Sequence, residues 1–425
     1  MTVYSAVVTT GIYCRPGCGA RPLARNTRVY EHAAAAEAAG FRACLRCRPY
    51  RVAGPFSADM PRLVCAAWQL IIAGVLDGGT EAALAERVGL SVRHLRRLFL
   101  RHLGASPDQL ARSRRAHFAR RLLDDTDLTV LDIAFASGYG SLRQFNRSMR
   151  EVFHASPTEL RERRHRADRL VADGGLALRL PVLPGYDWAA MLAYLGARAI
   201  PGVEEVSGGV YRRTIGVDGA PGVLEVRAGD APGHLVLVAH LPYWEGLIHV
   251  VDQAGRLLGV DADQSPGVTA LGMDPVLGPL VRARPGLAVP GAWNAAEAAI
   301  AAAAVRAPSE LVGAGAPAER AIGRLAELVD GLGTRVPGLP GGLTHVLPDL
   351  APEDLAGYGL PQDTSAGEDL AFRLGDPEAW PAGDPWLRAA VADRFPSGLE
   401  PGRWRPWQAL AAMHLMTEAA LGAAR

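Results

Sequence analysis

The sequence predicts a multidomain protein that is mainly α-helical with α+β parts. Its 425 residues exceed the roughly 100 to 200 residues of one domain, so we expect several domains that each bury a core. Four cysteines lie in the first 50 residues, helical patterns follow to residue 166, and short strand-like runs begin at residue 176. One small binding module is thereby excluded.

Composition is typical of a soluble globular protein. Hydrophobic residues make up 49% of the chain and charged residues 21%. The longest apolar run, Ala298 to Val305, is far shorter than the roughly 20 residues that a membrane helix needs. The first ten residues lack the basic stretch and apolar core of a secretory signal. We therefore expect a cytoplasmic protein with no membrane partner.

The net charge of +1 conceals opposite charges in the two parts of the chain. Residues 1–170 carry 27 arginines and 15 acidic residues, a net charge of +12. Residues 171–425 carry 18 arginines and 29 acidic residues, a net charge of −11. This asymmetry predicts that binding to a polyanion is concentrated in the first 170 residues.

Four cysteines form two close pairs, Cys14-x3-Cys18 and Cys44-x2-Cys47. In a chain without a secretory signal, such pairs are metal ligands more often than disulfides. Four thiolates at this spacing suit a tetrahedral zinc ion, so the pattern predicts zinc as the cofactor. A structural zinc clip is the plainest interpretation. Cys65 stands alone in an apolar stretch and is expected to pack in a core.

The stretches 7–18 and 40–49 around these cysteines resemble the metal-binding domain of the bacterial adaptive-response family Ada. The resemblance implies that Cys14 takes a methyl group irreversibly from a methylphosphotriester in DNA, as a stoichiometric DNA methyltransferase. Four thiolates on zinc carry a formal charge of −2, and methylation of one leaves −1, which should tighten binding to phosphates. Nearby positive charge comes from five arginines, Arg15, Arg21, Arg42, Arg46 and Arg48.

Residues 83–99 and 130–147 each have the apolar spacing of a helix-turn-helix unit. Gly89 suits the first turn, and Ser91 and Ser141 can cap the second helix of each unit. Two such units resemble the AraC-type DNA-binding domain, which implies binding of promoter DNA through successive major grooves and contact with RNA polymerase. A soluble helical face is the alternative. The side chains expected to face DNA are Arg93, His94, Arg96, Arg97, Arg143, Gln144 and Arg147.

From residue 176 the chain resembles DNA-3-methyladenine glycosylase II of the AlkA type. The stretches that carry this resemblance are 183–195, 283–291, 380–388 and 403–407. It implies an α/β subdomain, then a helix-hairpin-helix domain that flips alkylated bases into an aromatic pocket. Asp384 matches the catalytic aspartate of that family, which stabilises the developing oxocarbenium ion or aligns water. Tyr194 matches an aromatic wall of the pocket.

This part departs from the family pattern in three places. The stretch 360–365 lacks the glycines of the hairpin that grips a DNA phosphate, and a segment expected between Val346 and Asp369 is missing. Met416 stands where a tryptophan is expected. Two interpretations of Asp384 therefore remain, a catalytic carboxylate and a relic of one.

These features predict a role in DNA alkylation damage response and repair. A methylphosphotriester acceptor and transcription regulator would be fused to a glycosylase-like domain for base excision repair, with promoter and alkylated double-stranded DNA as partners. The alternative is a transcription regulator whose glycosylase-like domain is an inactive sensor or scaffold. The expected domains are zinc-binding (1–53), double helix-turn-helix (58–166), α/β glycosylase-like (176–285) and a shortened helical helix-hairpin-helix glycosylase-like domain (286–425).

Overall fold

The computed structural model describes residues 3–15, 18–19, 22–51, 56–57, 60–165, 168–306, 317–348, 367–395 and 398–422. The chain divides into two compact units. The first comprises residues 1–183, 243–252 and 261–263, and the second comprises residues 184–242, 253–260 and 264–425. None of the described helices combines the length and apolar character needed to span a bilayer.

The elements alternate between a small sheet, a run of helices and a second mixed region, which confirms the predicted fold class. Up to residue 183 they are β1 (Tyr4–Val7), β2 (Ile12–Cys14), β3 (Thr27–Tyr30), α1 (Ala33–Ala38), β4 (Arg42–Ala43), β5 (Phe56–Ser57), α2 (Arg62–Ile72), α3 (Glu81–Arg87), α4 (Val92–Leu103), α5 (Pro107–Asp125), α6 (Val130–Ala136), α7 (Leu142–Phe153), α8 (Pro157–Glu162) and β6 (Leu176–Pro181). From residue 184 they are α9 (Trp188–Ala197), β7 (Glu204–Ser207), β8 (Val210–Val217), β9 (Ala220–Ala228), β10 (His234–His240), α10 (Leu247–Leu257), β11 (Ala262–Asp263), α11 (Ser265–Leu271), α12 (Gly278–Ala283), α13 (Ala295–Arg306), α14 (Pro317–Leu332), β12 (Thr334–Arg335), β13 (His345–Val346), α15 (Gly367–Arg373), α16 (Pro385–Arg394) and α17 (Gln408–Gly422).

The first four strands form one sheet in the order β3-β1-β2-β4. β1 pairs antiparallel with β2 and β3, and β2 pairs parallel with β4. Because the backbone N–H of Cys44 donates to the carbonyl of Tyr13 at 2.9 Å, the end of β2 lies beside the start of the second cysteine pair. The sheet thus brings together two cysteine pairs that are far apart in sequence.

Helices α3–α4 and α6–α7 form two helix-turn-helix units of the same design. The turn glycines Gly89 and Gly138 have left-handed φ values of 67° and 75°, a conformation in which glycine pays no steric cost. The hydroxyls of Ser91 and Ser141 accept from backbone N–H groups in the first turn of α4 and α7. The expected turn and both expected caps are therefore confirmed. Leu95 and Phe99 of α4 are fully buried.

The 19-residue helix α5 packs against α2, α4, α6, α7 and α8, and thereby joins the two helix-turn-helix units. Four of its five arginines form ion pairs, three of them with acidic groups from other segments. The pairs are Arg112–Glu151, Arg114–Asp252 and Arg115–Asp77, with Arg120–Asp124 inside the helix itself. The positive charge of these four arginines is therefore compensated within the fold.

In the second unit, β7 to β10 form an antiparallel array in the order β10-β9-β8-β7. Helices α13 and α14 pack together over an apolar core that includes Ile300 and Leu325. Helix α17 packs against both α9 and α16. This arrangement brings the C-terminal end of α9 close to the N-terminal end of α16.

Candidate zinc-thiolate, DNA-binding and base-pocket sites

The sulfur atoms of Cys14, Cys18, Cys44 and Cys47 all lie within 4.8 Å of one another. A Zn–S bond of about 2.3 Å implies sulfur atoms about 3.8 Å apart in a tetrahedral site, so a small contraction of the cluster would hold zinc. Cys14 is buried and the other three cysteines are half-buried. The donor set and its geometry therefore fit a zinc ion with four thiolate ligands.

The pKa values of the cluster cysteines also indicate that a cation must be bound. Burial and the neighbouring Cys47 and Cys44 raise the pKa of the Cys14 thiol well above its usual range. Burial likewise raises the pKa of Cys47 to about 12. The pKa of Cys44 is lowered, since hydrogen bonds from the backbone N–H groups of Cys47 and Arg46 outweigh its burial. Four adjacent thiolates at neutral pH thus require a bound divalent ion.

The arginines near the cluster do not all face solvent. Arg15 is exposed, and its Nε donates to the carbonyl of Cys47 at 3.0 Å, which ties the two cysteine pairs together. Arg48 is buried, and its guanidinium lies 2.5 Å from a carboxylate oxygen of Asp168. Arg48 therefore cannot contact a DNA phosphate without breaking this pair. Arg21 lies outside the described residues.

The second helices of the two helix-turn-helix units present the predicted side chains. Arg93, Arg97 and Arg143 are exposed, and none has an ion-pair partner within the described part of the chain. His94 and Gln144 are half-buried in the first helical turn, where their backbone N–H groups donate to Ser91 and Ser141.

Two of the arginines predicted to face DNA also lie next to a carboxylate. The Arg96 guanidinium contacts the buried carboxylate of Glu81 at the start of α3. Arg147 lies 3.5 Å from Glu151 one turn further along α7. Both side chains remain more than half exposed, at 56% and 73%. They can meet DNA only if these contacts loosen or are shared.

Asp384 is buried at the N-terminal end of α16. Its Oδ1 accepts from the backbone N–H groups of Trp386 and Leu387, each at 3.0 Å. Arg198 also donates to this carboxylate. Its Nη2 lies 3.0 Å from Oδ1, and its Nε lies 3.3 Å from Oδ2. The negative charge of this carboxylate is therefore compensated by a guanidinium and two backbone N–H groups.

Arg198 is the residue of this site that sequence reasoning missed. Its side chain is 4% exposed, and its Cζ lies 4.2 Å from the ring centre of Tyr194 and 4.1 Å from that of Trp386. Its Nη2 also lies 3.2 Å from the sulfur of Met416. Arg198 follows Tyr194 by four residues in the helical region around α9, so that spacing could have indicated that the two side chains are neighbours.

Tyr194 and Asp384 thus both contact Arg198, whose guanidinium lies over the rings of Tyr194 and Trp386. Met416 is fully buried within the same group. The stretch 360–365, where the DNA-gripping hairpin was expected, lies outside the described residues.

The fold and these sites define a DNA-binding protein with an N-terminal zinc-binding domain, a double helix-turn-helix region and a glycosylase-like region. Three family models match the chain: the metal binding domain of Ada at residues 2–50, a helix-turn-helix domain at 84–163, and the AlkA N-terminal domain at 177–294. The "probable bifunctional transcriptional activator/DNA repair enzyme AlkA" of Mycobacterium tuberculosis is 35% identical, over 97% of this chain and 92% of that protein. The chain therefore belongs to the family of bifunctional transcriptional activators and DNA repair enzymes.

Two further proteins are similar to parts of the chain. The "bifunctional transcriptional activator/DNA repair enzyme Ada" of Escherichia coli is 33% identical over 34% of this chain and 41% of its own length. A 3-methyladenine DNA-glycosylase from Archaeoglobus fulgidus is similar in structure, with a TM-score of 0.44 and 16% identity, over 57% of this chain and 97% of that one. The predicted zinc cofactor, the DNA partner and the combined role in repair and transcription regulation are confirmed.

Proposed function

We propose that the protein repairs methylphosphotriesters in alkylated DNA by transferring the methyl group to Cys14. The four-cysteine cluster carries this proposal, because it places one buried sulfur at the end of β2 among three further ligands. The methylated protein then binds promoter DNA through α4 and α7 and acts on RNA polymerase. The exposed arginines Arg93, Arg97 and Arg143 support this second step.

A zinc ion held by Cys14, Cys18, Cys44 and Cys47 would keep the Cys14 sulfur ionised and nucleophilic at neutral pH. The Sγ of Cys14 attacks the methyl carbon of the phosphotriester. A sulfur–carbon bond forms as the carbon–oxygen bond breaks, and the phosphodiester leaves with the electron pair of that bond. The sulfur needs no separate base, since it carries no proton. The product is a neutral thioether, so the cluster changes from −2 to −1 and repels phosphates less.

Peptide mass mapping tests the methyl transfer. Full-length zinc-loaded protein is incubated with duplex DNA that carries methylphosphotriesters, and each cysteine peptide is then weighed. We expect a gain of one CH2 on Cys14 alone, its loss in Cys14→Ser, and no change in Cys65→Ser, which alters the cysteine outside the cluster. A gain on Cys44, or no gain on any cysteine, would contradict the proposal.

For the second half of the protein, we propose that excision of alkylated bases at Asp384 is weak or absent. The ion pair with Arg198 supports this, because a flipped base could stack on Tyr194 only after the guanidinium had left. Moving the Arg198 guanidinium away from Asp384 would leave two buried charges without partners, which costs free energy. This region would then act as a sensor or scaffold for the regulator.

Release of free base from alkylated duplex DNA measures this activity directly. Full-length protein should release little 3-methyladenine, and Asp384→Asn should release no less. Robust release by the native protein that Asp384→Asn abolishes would instead identify Asp384 as a working catalytic residue.

A further inference from the structure

Residues 243–252, named here the clip segment, lie far along the chain from the helix-turn-helix region. They follow β10 and end within α10, in the part that the sequence assigns to the glycosylase-like α/β region. In the structure they nevertheless belong to the compact unit that contains α3, α4, α6 and α7. A piece of the glycosylase-like sequence is therefore built into the unit that carries both helix-turn-helix units.

The clip segment holds the end of α2. Nδ1 of His249 donates to the carbonyl of Ile72, the last residue of α2, at 2.9 Å. Nη2 of Arg114 donates to the same carbonyl at 3.2 Å, and Nε of Arg114 donates to Asp252 of the clip segment at 2.8 Å. The last carbonyls of a helix have no partner inside the helix, so these donors fix where α2 ends. Because α2 packs against α3 and α4, the clip segment helps to place the α3–α4 unit.

The same histidine reaches the point where the two helix-turn-helix units meet. Nε2 of His249 lies 2.8 Å from Oδ2 of Asp77, which stands between α2 and α3. The other carboxylate oxygen of Asp77 lies 3.0 Å from Nη1 of Arg115 in α5. A methyl group added to Gly138, in the turn of the α6–α7 unit, would lie 2.8 Å from Oδ2 of Asp77. His249 thus holds the carboxylate against which the turn of the α6–α7 unit packs.

The clip segment also contacts the α6–α7 unit directly. The backbone N–H of Gly246 donates to the carbonyl of Phe135 in α6 at 3.3 Å. Arg115 lies over the ring of Tyr139, with its Cζ 5.4 Å from the ring centre. The hydroxyl of Tyr139 lies 2.9 Å from that of Ser148 in α7. A continuous series of contacts therefore runs from the clip segment to α7.

We infer that the clip segment fixes the α3–α4 and α6–α7 units in one relative position, with His249 as its positioning residue. The recognition helices of the two units, α4 and α7, then fit two major grooves at only one spacing along the DNA. The preferred DNA consists of two short segments whose separation matters as much as their sequence. This inference rests on the proposed binding of promoter DNA through α4 and α7, and it specifies the arrangement of that DNA.

The expected preference follows from the geometry of the duplex. One inserted base pair moves the two segments apart by about 3.4 Å and rotates one relative to the other by about 35°. Two recognition helices in a fixed arrangement cannot follow both displacements, so one helix loses its base contacts. Without the clip segment, the units are joined mainly through α5, and small changes of packing on either side of α5 can accommodate the insertion. We therefore expect the native protein to bind the original spacing roughly tenfold more tightly or more than an altered one.

The first experiment measures DNA binding as a function of spacing. A duplex is selected from a random-sequence pool by full-length, zinc-loaded protein that has first reacted with methylphosphotriester DNA. Footprinting locates the two contacted segments, and dissociation constants are measured for this duplex and for duplexes with one base pair inserted or deleted between the segments. The readout is the ratio of these constants, because this ratio does not depend on the fraction of protein that is folded.

His249→Ala should bring this ratio close to one. His249→Asn, whose amide can still donate to the carbonyl of Ile72, should retain most of the native ratio. The control is His165→Ala, which alters an exposed side chain outside these contacts. Weaker binding of His249→Ala at every spacing with an unchanged ratio would indicate a merely structural role and overturn the inference. Equal affinity of the native protein for all spacings would overturn it too.

A second readout needs no DNA. Nitroxide spin labels are attached through Leu100→Cys on α4 and Arg150→Cys on α7, two exposed positions. Dipolar electron spin resonance then gives the distribution of distances between the labels, with protein lacking the new cysteines as the background. We expect one narrow distribution, which His249→Ala should broaden. A broad distribution without that substitution, or a narrow one that His249→Ala leaves unchanged, overturns the inference.

The two readouts also separate this inference from the function on which it rests. A narrow distance distribution that broadens in His249→Ala, combined with no sequence-selective binding by the native protein, would support the fixed arrangement and refute the proposed promoter binding. Sequence-selective binding that tolerates every spacing would support the promoter binding and refute the fixed arrangement.

Discussion

Arg198 holds Asp384 in a buried ion pair while its guanidinium stacks between the rings of Tyr194 and Trp386. A planar cation next to a carboxylate and between aromatic faces has the same chemical character as an alkylated, positively charged base in a glycosylase pocket. If this site is a base pocket as proposed above, Arg198 occupies the place that such a base would take. A bound base would have to displace the Arg198 side chain, which is part of the protein itself.

Removal of Arg198 should destabilise the second unit strongly. Arg198→Met leaves the buried Asp384 carboxylate without its cation, which typically costs about 3 to 5 kcal/mol. The double variant Arg198→Met with Asp384→Asn should recover most of this loss, because the stranded charge is gone. Urea unfolding of each variant measures the effect. Arg403→Met, which breaks the half-exposed pair with Asp274, should cost about 1 kcal/mol or less, and additive single effects at the Arg198–Asp384 pair would contradict the prediction.

Zinc content should depend on the four-cysteine cluster alone. Cys44→Ser removes one thiolate and should reduce zinc well below one equivalent per chain, because structural zinc sites are built from four ligands. Cys65→Ser should retain a full equivalent, since Cys65 lies outside the four-cysteine cluster. Elemental analysis after dialysis against a weak chelator decides between these outcomes. Undiminished zinc in Cys44→Ser would refute the ligand assignment.

The two recognition helices should respond differently to the loss of an arginine. Arg143 is exposed on α7, so Arg143→Ala should weaken binding to a selected duplex by about 1 to 3 kcal/mol if it contacts a base, with no change in melting temperature. Arg96→Ala also strands the buried carboxylate of Glu81, so it should lower the melting temperature as well. Fluorescence anisotropy at several salt concentrations and thermal unfolding measure both effects. Equal melting temperatures for the two variants would show that the Arg96–Glu81 contact is not stabilising.

The second unit should lose stability in mild acid through His414. Burial, with a smaller contribution from Arg284, lowers the pKa of His414 from 6.5 to about 4. The neutral, buried His414 therefore makes its full contribution to stability above pH 6.5. This contribution is lost as the pH falls toward 4, because His414 takes up a proton in that range only in the unfolded chain. Between pH 7.5 and pH 5, the free energy of unfolding of the second unit should fall by about 2 kcal/mol from this cause.

The variant His414→Met separates the pH-dependent contribution of His414 from that of His32. Burial also lowers the pKa of His32 to about 4. The free energy of unfolding of the second unit should fall less between the two pH values in His414→Met than in the native protein. Parallel curves for the two proteins would show that His414 is not the group responsible.

The sequence predicts best those features that depend on neighbours along the chain. The cysteine pairs, the turn at Gly89 and the caps at Ser91 and Ser141 each follow from a local rule, and the structure has them where they were expected. Local rules suffice here because a helix cap or a chelating pair involves residues only a few positions apart.

The features that the sequence did not reveal depend on residues far apart in the chain. Arg198 and Asp384 are separated by 186 residues, and Glu37 and His117 by 80. The Arg96–Glu81 contact is closer in sequence, yet it crosses from one helix to another. Charge counts treat such arginines as free, because a sum over residues contains no information about which carboxylates become their partners.

Helix α5 has consequences for how this protein can evolve. Thirteen of its 19 residues are buried, and its polar side chains contact the zinc-binding domain, the segment before α3, helix α7 and Asp252 of α10. A substitution in α5 therefore tends to disturb two or three neighbours at once, and a single compensating change elsewhere will rarely repair all of them. Exposed positions such as Arg93, Arg97 and Arg143 on α4 and α7 have no ion pair within the described part of the chain, so DNA preference can drift among relatives while α5 tolerates very little change.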